Sequence, residues 1–251
     1  MVILHGTTWI MKKIENKKKV ILVSGASKGI GLEICKQLIE DGFSVIGIAR
    51  SKITSFQHDS FTYLSLDIQD RDLFHKVKQT AKNLSIYGLI CCAGICRSGC
   101  IERIKAFDFW KNYETNVIGN YNLIQCFISE IEVNEGFVVS ITSDVGSFCI
   151  PERVGYASSR KAQNIMVQCM QQRYPSIHFY SVALGITKSD LYYSKYESVK
   201  EQKEAEKKQI KLYPLRRLGE YLDVKSLIHY LVGTHPNIAS VIFLNGGAKL
   251  I

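Results

Sequence analysis

A glycine-rich turn joins an apolar run to a helical pattern near the start of the chain. Residues 20–23 are Val-Ile-Leu-Val, and residues 24–31 are Ser-Gly-Ala-Ser-Lys-Gly-Ile-Gly. Apolar residues then recur with a helical period over 34–39, and a second apolar run follows at 44–48. This order predicts a βαβ unit of about 30 residues. Because such a unit joins parallel strands by a crossover, it restricts the chain to folds with a parallel sheet.

Apolar strand patterns and helical patterns alternate along the rest of the chain. Further strands are predicted at residues 61–66, 86–92, 136–142, 177–184 and 240–244. Helices are predicted at about residues 69–83, 104–131, 156–173 and 222–232. Strands that are apolar throughout and alternate with helices form a parallel sheet with helices on both faces. We therefore expect an α/β fold with a doubly wound parallel sheet.

The domain organisation follows from where this alternation holds. Residues 20–251 contain no linker-like segment and no internal repeat, so we expect one domain there. We expect residues 1–19 to be an N-terminal extension, and a start of translation at Met1 or at Met11 remains an open alternative. Residues 186–214 contain tyrosines and a Lys/Glu-rich run but no strand pattern. We expect this insertion to be mobile and to act as a lid over the substrate.

The positive charge of the chain is concentrated in two segments. The 251 residues include 32 Lys and Arg against 23 Asp and Glu, a net charge of +9. Residues 12–19 hold five lysines and one glutamate, and residues 195–217 hold eight Lys or Arg and four glutamates. We interpret both as solvated basic segments, because no nucleic-acid motif accompanies them. No apolar run approaches the roughly 18 residues of a membrane span, so we expect neither nucleic-acid nor membrane partners.

The cysteines indicate a reducing compartment rather than a disulfide framework. The chain has eight cysteines and no signal-peptide pattern, so we expect free thiols in a cytoplasmic protein. Residues 91–100 hold four of them without the paired C-x2-C spacing of structural zinc sites and without a nearby histidine. We therefore predict no metal site.

The glycine-rich turn also predicts a phosphate site. In an open parallel sheet, a ligand phosphate binds where a strand leads into the N-terminus of a helix, and glycines let the backbone approach it. Gly25, Gly29 and Gly31 lie at such a junction with the spacing G-x3-G-x-G. Together with the second strand that follows, this spacing favours a dinucleotide cofactor over an ordinary tight turn.

These residues resemble the short-chain dehydrogenase/reductase family over nearly the whole chain. Residues 24–31 are similar to the family's T-G-x3-G-I-G loop, and Asp67 matches its adenine-contacting aspartate. Asn116, Ser143 and Tyr156, thirteen residues after the serine, follow in the family's order. The chain most resembles bacterial 3-oxoacyl-carrier-protein reductases and related carbonyl reductases. The resemblance implies a Rossmann-like fold and hydride transfer between a nicotinamide and a carbonyl or hydroxyl group.

The resemblance and the local charge imply the cofactor and its contacts. Ala49 stands where NAD-preferring relatives carry an acid, and Arg50 and Lys28 supply two cations for a 2′-phosphate. NADP(H) is therefore favoured over NAD. The implied cofactor contacts are Gly25, Ser27, Lys28, Gly29, Ile30, Gly31, Arg50, Asp67, Ile68, Ala93, Gly94, Tyr156, Arg160, Ile186 and Ser189.

Tyr156, Ser143 and Asn116 are the implied catalytic residues, together with a cation. Reduction of a ketone builds negative charge on the carbonyl oxygen, so the site needs a donor that also gives up a proton. The resemblance assigns this acid/base role to Tyr156, the holding of the substrate oxygen to Ser143, and support of a water-linked proton route to Asn116. The tyrosine needs a fixed neighbouring cation, because its ordinary pKa is about 10.

The residue that supplies this cation departs from the family. The usual Y-x3-K motif would place lysine at position 160, but residues 156–161 are Tyr-Ala-Ser-Ser-Arg-Lys. On a helix the residue at i+4 returns to the face of residue i, so Arg160 inherits the position rather than Lys161. Arginine can bond ribose hydroxyls, but it cannot relay a proton. Reduced turnover, a distorted helix that brings Lys161 inward, and a binding protein without catalysis remain open alternatives.

Two further departures are milder. Residues 91–94 are Cys-Cys-Ala-Gly where the family has N-N-A-G, so two asparagine amides are lost. Ser189 stands in place of the threonine that hydrogen-bonds the nicotinamide carboxamide, and a serine hydroxyl can make the same bond.

We therefore predict an NADP(H)-dependent oxidoreductase for a small-molecule or carrier-bound carbonyl substrate. The alternative is an NADP(H)-binding regulatory or scaffold protein with little turnover, and Arg160 is the feature that separates the two. We expect the loop at 95–104 and the insertion at 186–214 to set the specificity. The resemblance also implies a homo-oligomer, a tetramer or a dimer, and the aromatic-rich helix predicted at 104–131 is consistent with it.

Overall fold

A seven-stranded sheet forms the centre of the computed structural model, which describes residues 19–51, 56–81, 84–147 and 150–248. The strands are β1 (Val20–Ser24), β2 (Ser44–Ala49), β3 (Phe61–Ser65), β4 (Ile86–Cys91), β5 (Phe137–Ser143), β6 (His178–Leu184) and β7 (Val241–Leu244). Their order is β3-β2-β1-β4-β5-β6-β7, and every neighbouring pair is parallel. The predicted fold class, a doubly wound and Rossmann-like parallel sheet, is confirmed.

Helices cover both faces of this sheet. They are α1 (Gly29–Glu40), α2 (Leu73–Ala81), α3 (Ala106–Tyr113), α4 (Asn120–Val133), α5 (Val154–Arg173), α6 (Asp190–Tyr193), α7 (Val199–Ile210) and α8 (Tyr221–Thr234). Ile21 and Val23 of β1 pack in a buried cluster with α1 and α8. Val20 and Leu22 pack in a second cluster with α2, α4 and α5. Since alternate residues of a strand point to opposite faces, the two clusters are the two faces of the sheet.

This double coverage explains the continuous apolar runs of the central strands. Every residue of β1 and of β4 is buried. The edge strand β3 instead consists of half-buried and exposed residues. Burial on both faces therefore begins one strand in from the edge.

The helix predicted at 104–131 differs from the observed one in its middle. A π-helical segment, Glu114–Gly119, joins α3 to α4, so the helical run extends from Ala106 to Val133. A π segment inserts one residue into the helical repeat, and apolar spacing alone does not reveal it. Asn116 lies in this segment and is fully buried.

The 186–214 insertion contains two helices, α6 and α7. Of its secondary structure, the sequence predicted only that this segment forms no strand. Ser189 and Ser198 cap the two helices, because their hydroxyl oxygens accept the backbone N–H groups of Tyr192 and Glu201. Its mobility and its role as a lid stay predictions.

Several predictions about the whole chain can be compared only with the residues that the structure describes. Residues 1–18, which hold nearly all of the predicted extension and its alternative start at Met11, lie outside them. Among the residues that the structure describes, no helix is long and apolar enough to cross a membrane. Within the same ranges, no three His, Cys, Asp or Glu side chains gather as metal ligands would, and the cysteines are free.

Candidate functional site

A cavity of about 650 Å³ opens where the first six strands end. Because these strands are parallel, their carboxyl ends meet at one edge of the sheet, and the loops that follow them form the cavity walls. The cavity lining includes all the predicted site residues except Asn116: Gly25, Ser27, Lys28, Gly29, Ile30, Gly31, Arg50, Asp67, Ile68, Ala93, Gly94, Ser143, Tyr156, Arg160, Ile186 and Ser189.

The turn between β1 and α1 requires two of its glycines for steric reasons. Gly25 has a φ of +71°, and a Cβ there would lie 2.8 Å from the backbone nitrogen of Ala93. A Cβ at Gly31 would lie 2.3 Å from the carbonyl oxygen of Gly25. The bare turn brings the start of α1 to the cavity, and free N–H groups at a helix start bind phosphate. This cradle fits the pyrophosphate of a dinucleotide.

Two exposed cations line the cavity beside the end of β2. Arg50 follows this strand directly, and Lys28 lies in the glycine-rich turn. Neither takes part in the ion pairs found among the described residues. Asp67 and Ile68 line the same cavity after β3, and Asp67 Oδ1 accepts the N–H of Gln69 at 3.0 Å. The wall therefore offers uncommitted positive charge to an anionic group.

Ser143 and Tyr156 come together from two elements. Ser143 is the last residue of β5, and Tyr156 lies in the first turn of α5. Both line the cavity, and Tyr156 is 6% exposed. Ser143 Oγ donates to the carbonyl oxygen of Leu184 over 3.4 Å, which is a weak hydrogen bond. The serine hydroxyl therefore remains available to a ligand.

The side chain of Asn116 lies behind the cavity wall. Its Oδ1 accepts the N–H of Ile95 at 2.9 Å, and its Nδ2 donates to the carbonyl oxygen of Ile95 and to Ser159 Oγ, each at 3.0 Å. Ser159 Oγ in turn donates to the carbonyl oxygen of Tyr156 at 2.8 Å. Asn116 therefore ties the loop after β4 to the helical turn that carries Tyr156.

Arg160 takes the interior position on α5. It is 5% exposed and lines the cavity, whereas the neighbouring Lys161 is exposed. Arg160 Nη1 donates to the carbonyl oxygen of Ile141 at 3.3 Å and to Gln163 Oε1 at 2.6 Å. The guanidinium carbon lies 5.1 Å from the centre of the Tyr156 ring. The guanidinium therefore packs over the ring of Tyr156 as a cation–π pair.

The Arg160 guanidinium keeps an unused donor. Its buried Nε has no hydrogen-bond partner in the part of the chain that the structure describes. A Cβ at Gly94 would lie 2.3 Å from Nη2, so the guanidinium fills the space beside that bare backbone. A buried donor without a partner costs free energy, and a ribose hydroxyl is an acceptor that would satisfy it. This orphaned donor fits a nicotinamide nucleotide.

The loop after β4 is held by the side chain of Ser24, at the end of β1. Ser24 Oγ accepts the backbone N–H groups of Cys92 and Ala93, both at 3.1 Å. Burial raises the pKa of the Cys91 and Cys92 thiols to about 12, so both are neutral near pH 7. The two cysteines therefore act as small uncharged side chains beside the cavity.

The insertion contributes Ile186 and Ser189 to the lining. The backbone N–H of Ile186 donates to the hydroxyl oxygen of Tyr213 at 2.8 Å. Ser189 Oγ accepts the N–H of Tyr192 at 3.4 Å, which leaves the serine hydroxyl hydrogen free to donate to a ligand.

Sequence reasoning missed Gln163, the residue that holds Arg160. Gln163 is fully buried on α5, one turn after Arg160, and its Nε2 has no partner among the described atoms. The signal was present in the sequence, because Gln163 and Asn164 place polar side chains three and four positions after Arg160, on the buried face of the helix.

Sequence reasoning also missed Asp144. This residue follows Ser143, begins a 3-10 turn, is 7% exposed and lines the cavity. Burial raises the pKa of its carboxyl to about 6, although a hydrogen bond from the Asn245 side chain acts in the opposite direction. No sequence signal could have identified it, because polar residues after strands are commonplace.

Comparisons with known proteins agree with this architecture. A family model described as short chain dehydrogenase matches residues 19–200. The 3-amino-tetrahydro-pyrrolizinone reductase of Xenorhabdus hominickii is 32% identical over 151 residues, which cover 58% of this chain and 53% of that protein. The 3-oxoacyl-acyl-carrier-protein reductase FabG of Staphylococcus aureus strain Mu50 is 27% identical over 249 residues, which cover 91% of this chain and 97% of that protein.

Solved structures share the fold. The ligand-free aldohexose dehydrogenase of Thermoplasma acidophilum has a TM-score of 0.86 at 20% identity and covers 92% of this chain and 93% of its own. ElxO with NADP bound has a TM-score of 0.82 at 23% identity and covers 92% of this chain and 98% of its own.

Gly94→Ala tests the packing of the Arg160 guanidinium. The added Cβ meets three guanidinium atoms, so we expect the free energy of unfolding to fall by about 1–3 kcal/mol. In an Arg160→Ala background the clash is absent, so Gly94→Ala should lower the free energy of unfolding clearly less. Urea unfolding of the four proteins measures this cycle.

The matched control is Gly233→Ala, because a Cβ at Gly233 meets no atom within 4 Å among the described residues. Gly233→Ala should change the free energy of unfolding by the same amount in both backgrounds. An equal cost of Gly94→Ala with and without the arginine would contradict the packing.

Proposed function

The chain belongs to the short chain dehydrogenase family, and from this premise we propose that it is an NADP(H)-dependent oxidoreductase that reduces a carbonyl group, with Tyr156 as its acid/base. Membership of the family makes it an oxidoreductase. The proposed reduction of a carbonyl group, with Tyr156 as acid/base, is supported by one observation. Ser143, Tyr156 and Arg160 line the same cavity as the glycine-rich turn.

In this proposal, three side chains respond to the charge that develops on the carbonyl oxygen. A nicotinamide held by the residues of this cavity would supply the hydride for the carbonyl carbon. Ser143 Oγ and the Tyr156 hydroxyl donate hydrogen bonds to the oxygen, and Tyr156 then gives its proton to the alkoxide. Arg160 stabilises the phenolate that remains, because its charge lies 5.1 Å from the ring centre.

Arg160 changes how that proton is replaced. A guanidinium stays protonated at physiological pH, so the proton must return to Tyr156 from solvent or from a hydroxyl group. We assign a positioning role to Asn116 and Ser159, whose hydrogen bonds hold the backbone behind Tyr156 in place. In this way they support the return of the proton to Tyr156. The Nε of Arg160 is the donor that we assign to a ribose hydroxyl.

The proposed preference for NADP(H) rests on charge beside the end of β2. Lys28 and Arg50 are exposed cations in the cavity lining, and Ala49 adds no acid between them. Charge-assisted hydrogen bonds from such cations favour a 2′-phosphate. The structural neighbour ElxO, which is described with NADP bound, gives independent support.

We propose a small-molecule or carrier-bound carbonyl compound as the substrate, in a homo-oligomer. The name of the Xenorhabdus hominickii reductase describes a small-molecule substrate, and the name of the Staphylococcus aureus reductase describes a carrier-bound one. The proposed dimer or tetramer is supported by large apolar side chains exposed on the helical run from Ala106 to Val133 and on α5, which a monomer would leave in water. These side chains are Phe107, Trp110, Ile118, Tyr121 and Ile165.

Tyr156→Phe tests the acid/base role. With NADPH and a panel of small ketones and acyl thioesters, the wild-type protein should oxidise NADPH with at least one substrate. The variant should lose about 100-fold or more in kcat, because the proton donor is gone, with only a modest loss of NADPH affinity. NADPH absorbance measures the rate, and calorimetry measures the affinity.

Tyr230→Phe is the control, because Tyr230 is exposed on α8 and does not line the cavity; it should leave kcat unchanged. A wild-type protein that binds NADPH but reduces nothing would favour the second candidate function, a regulatory or scaffold protein. The arginine at position 160 is the observation that supports this second candidate.

The cofactor preference is tested by calorimetric titration with NADPH and NADH. We expect NADPH to bind about tenfold more tightly or better, since each charge-assisted bond contributes about 1.5–3 kcal/mol. Arg50→Ala should weaken NADPH binding and leave NADH binding nearly unchanged. Arg103→Ala, an exposed arginine outside the cavity lining, should change neither. Equal affinities of the wild-type protein for the two nucleotides would refute the preference.

A further inference from the structure

Three asparagines lie at every fourth position of the helical run from α3 to α4. Asn112 belongs to α3, Asn116 to the π-helical segment and Asn120 to the start of α4, and all three are fully buried. In a regular α-helix every fourth residue drifts by about 40° around the axis, because one turn takes about 3.6 residues. The wider π-helical turn reduces this drift. The three side chains therefore share one face of the run.

This face is hydrogen-bonded to the loop after β4. The bonded pairs are Asn120 with Ala93, Asn116 with Ile95, and Asn112 with Arg97. Asn112 Oδ1 accepts the N–H of Arg97, and Asn112 Nδ2 donates to the carbonyl oxygen of Arg97, both at 3.0 Å. Alternate residues of an extended segment direct their backbone polar groups to the same side, so the side-chain amides pair with the loop as a neighbouring strand would. We call these three asparagines the asparagine ladder.

The two ends of the asparagine ladder lie at different parts of the cavity. Ala93 lies against the glycine-rich turn, since a Cβ at Gly25 would be 2.8 Å from its backbone nitrogen. Asn112 lies against α5, since a Cβ at Gly155 would be 3.2 Å from Asn112 Nδ2. Gly155 directly precedes Tyr156. The Asn112 end is therefore beside the helical turn that carries the proposed acid/base, at a distance from the phosphate cradle.

Ser98 lies between two anchored residues at this end. Asn112 holds the backbone of Arg97 on one side. On the other side the N–H of Gly99 donates to the carbonyl oxygen of Glu152 at 2.7 Å, two residues before α5 begins. Ser98 itself lines the cavity. The loop therefore presents Ser98 to the cavity from a backbone that is fixed on both sides.

We propose that Asn112 is a positioning residue for the substrate, because it holds Ser98 in the part of the cavity wall that the carbonyl compound contacts. Asn112 does not itself line the cavity, so it acts through the loop. Without its amide, the N–H and carbonyl groups of Arg97 must find other partners, and the loop moves with them. The inference rests on the proposed function, because it concerns the substrate of that reaction.

Asn112→Ala tests this role through the kinetics of ketone reduction with NADPH. We expect the KM of the carbonyl substrate to rise about tenfold or more, while kcat and NADPH affinity change by less than about twofold. The reason is that the wall at Ser98 moves, whereas Ser143, Tyr156 and the glycine-rich turn keep their own supports. Asn112→Ser is a smaller change that tests the same role if Asn112→Ala does not fold.

Asn134→Ala is the matched control. Asn134 directly follows α4, and its Nδ2 also donates to backbone carbonyl oxygens, those of Ile86 at 3.2 Å and Glu130 at 2.7 Å. Ile86 begins β4, so these bonds lie at the opposite end of the sheet from the cavity. Asn134→Ala should lower the free energy of unfolding and leave the KM unchanged.

A second readout needs neither cofactor nor turnover. Amide hydrogen exchange reports directly on the N–H of Arg97, which Asn112 Oδ1 accepts. In Asn112→Ala this amide should exchange about tenfold faster or more than in the wild-type protein. The N–H of Ile95, which Asn116 Oδ1 accepts, should keep its exchange rate.

The outcomes separate this inference from the proposed function. A rise in KM that is specific to Asn112→Ala, with kcat and NADPH affinity retained, supports the positioning role. An unchanged KM, an equal rise in Asn134→Ala, or an equal loss of kcat and NADPH affinity overturns it and leaves the proposed function standing. A wild-type protein that reduces no ketone contradicts the proposed function. The exchange of the Arg97 amide then decides whether Asn112 holds the wall, and an unchanged rate in Asn112→Ala overturns that.

Discussion

The parallel direction of all seven strands is the constraint on which the site depends. Each strand enters the sheet from the same side, so six loops meet at one edge and enclose the cavity. The glycine-rich turn after β1, the cations after β2 and Ser143 at the end of β5 are distant in sequence and become neighbours only for this reason. The buried clusters on both faces hold the strands in register and thereby hold the site together.

At that edge, one buried charge lies in the part of the cavity that Ser143 and Tyr156 line. Burial of a guanidinium is costly unless hydrogen bonds and packing compensate for the lost hydration. For Arg160 the compensation comes from the carbonyl oxygen of Ile141, the amide oxygen of Gln163 and the face of the Tyr156 ring. Bare backbone at Gly94 leaves room for it. The buried arginine is therefore a structural element of the cavity wall, and Gln163 holds its guanidinium in place.

The predictable part of this protein is the part encoded in local sequence. Apolar runs and glycine spacing predict the strands and the turn, and the i+4 relation predicts that position 160 faces inward. The start of α7 also had a local signal, since Ser198 and Glu201 have capping-box spacing. The burial of Asp144 depends on how α5 packs against the turn that follows β5. That packing is tertiary, and no short window of sequence contains it.

The central claim is that Arg160, and not the adjacent lysine, supplies the cation of the site. Arg160 is buried beside Tyr156, whereas Lys161, one residue further along the helix, is exposed. The most direct measurement is the NADPH affinity and kcat of Arg160→Ala and of Lys161→Ala, compared with the wild-type protein. The account predicts that Arg160→Ala lowers both quantities together and that Lys161→Ala changes neither appreciably. Equal damage from the two substitutions would contradict it.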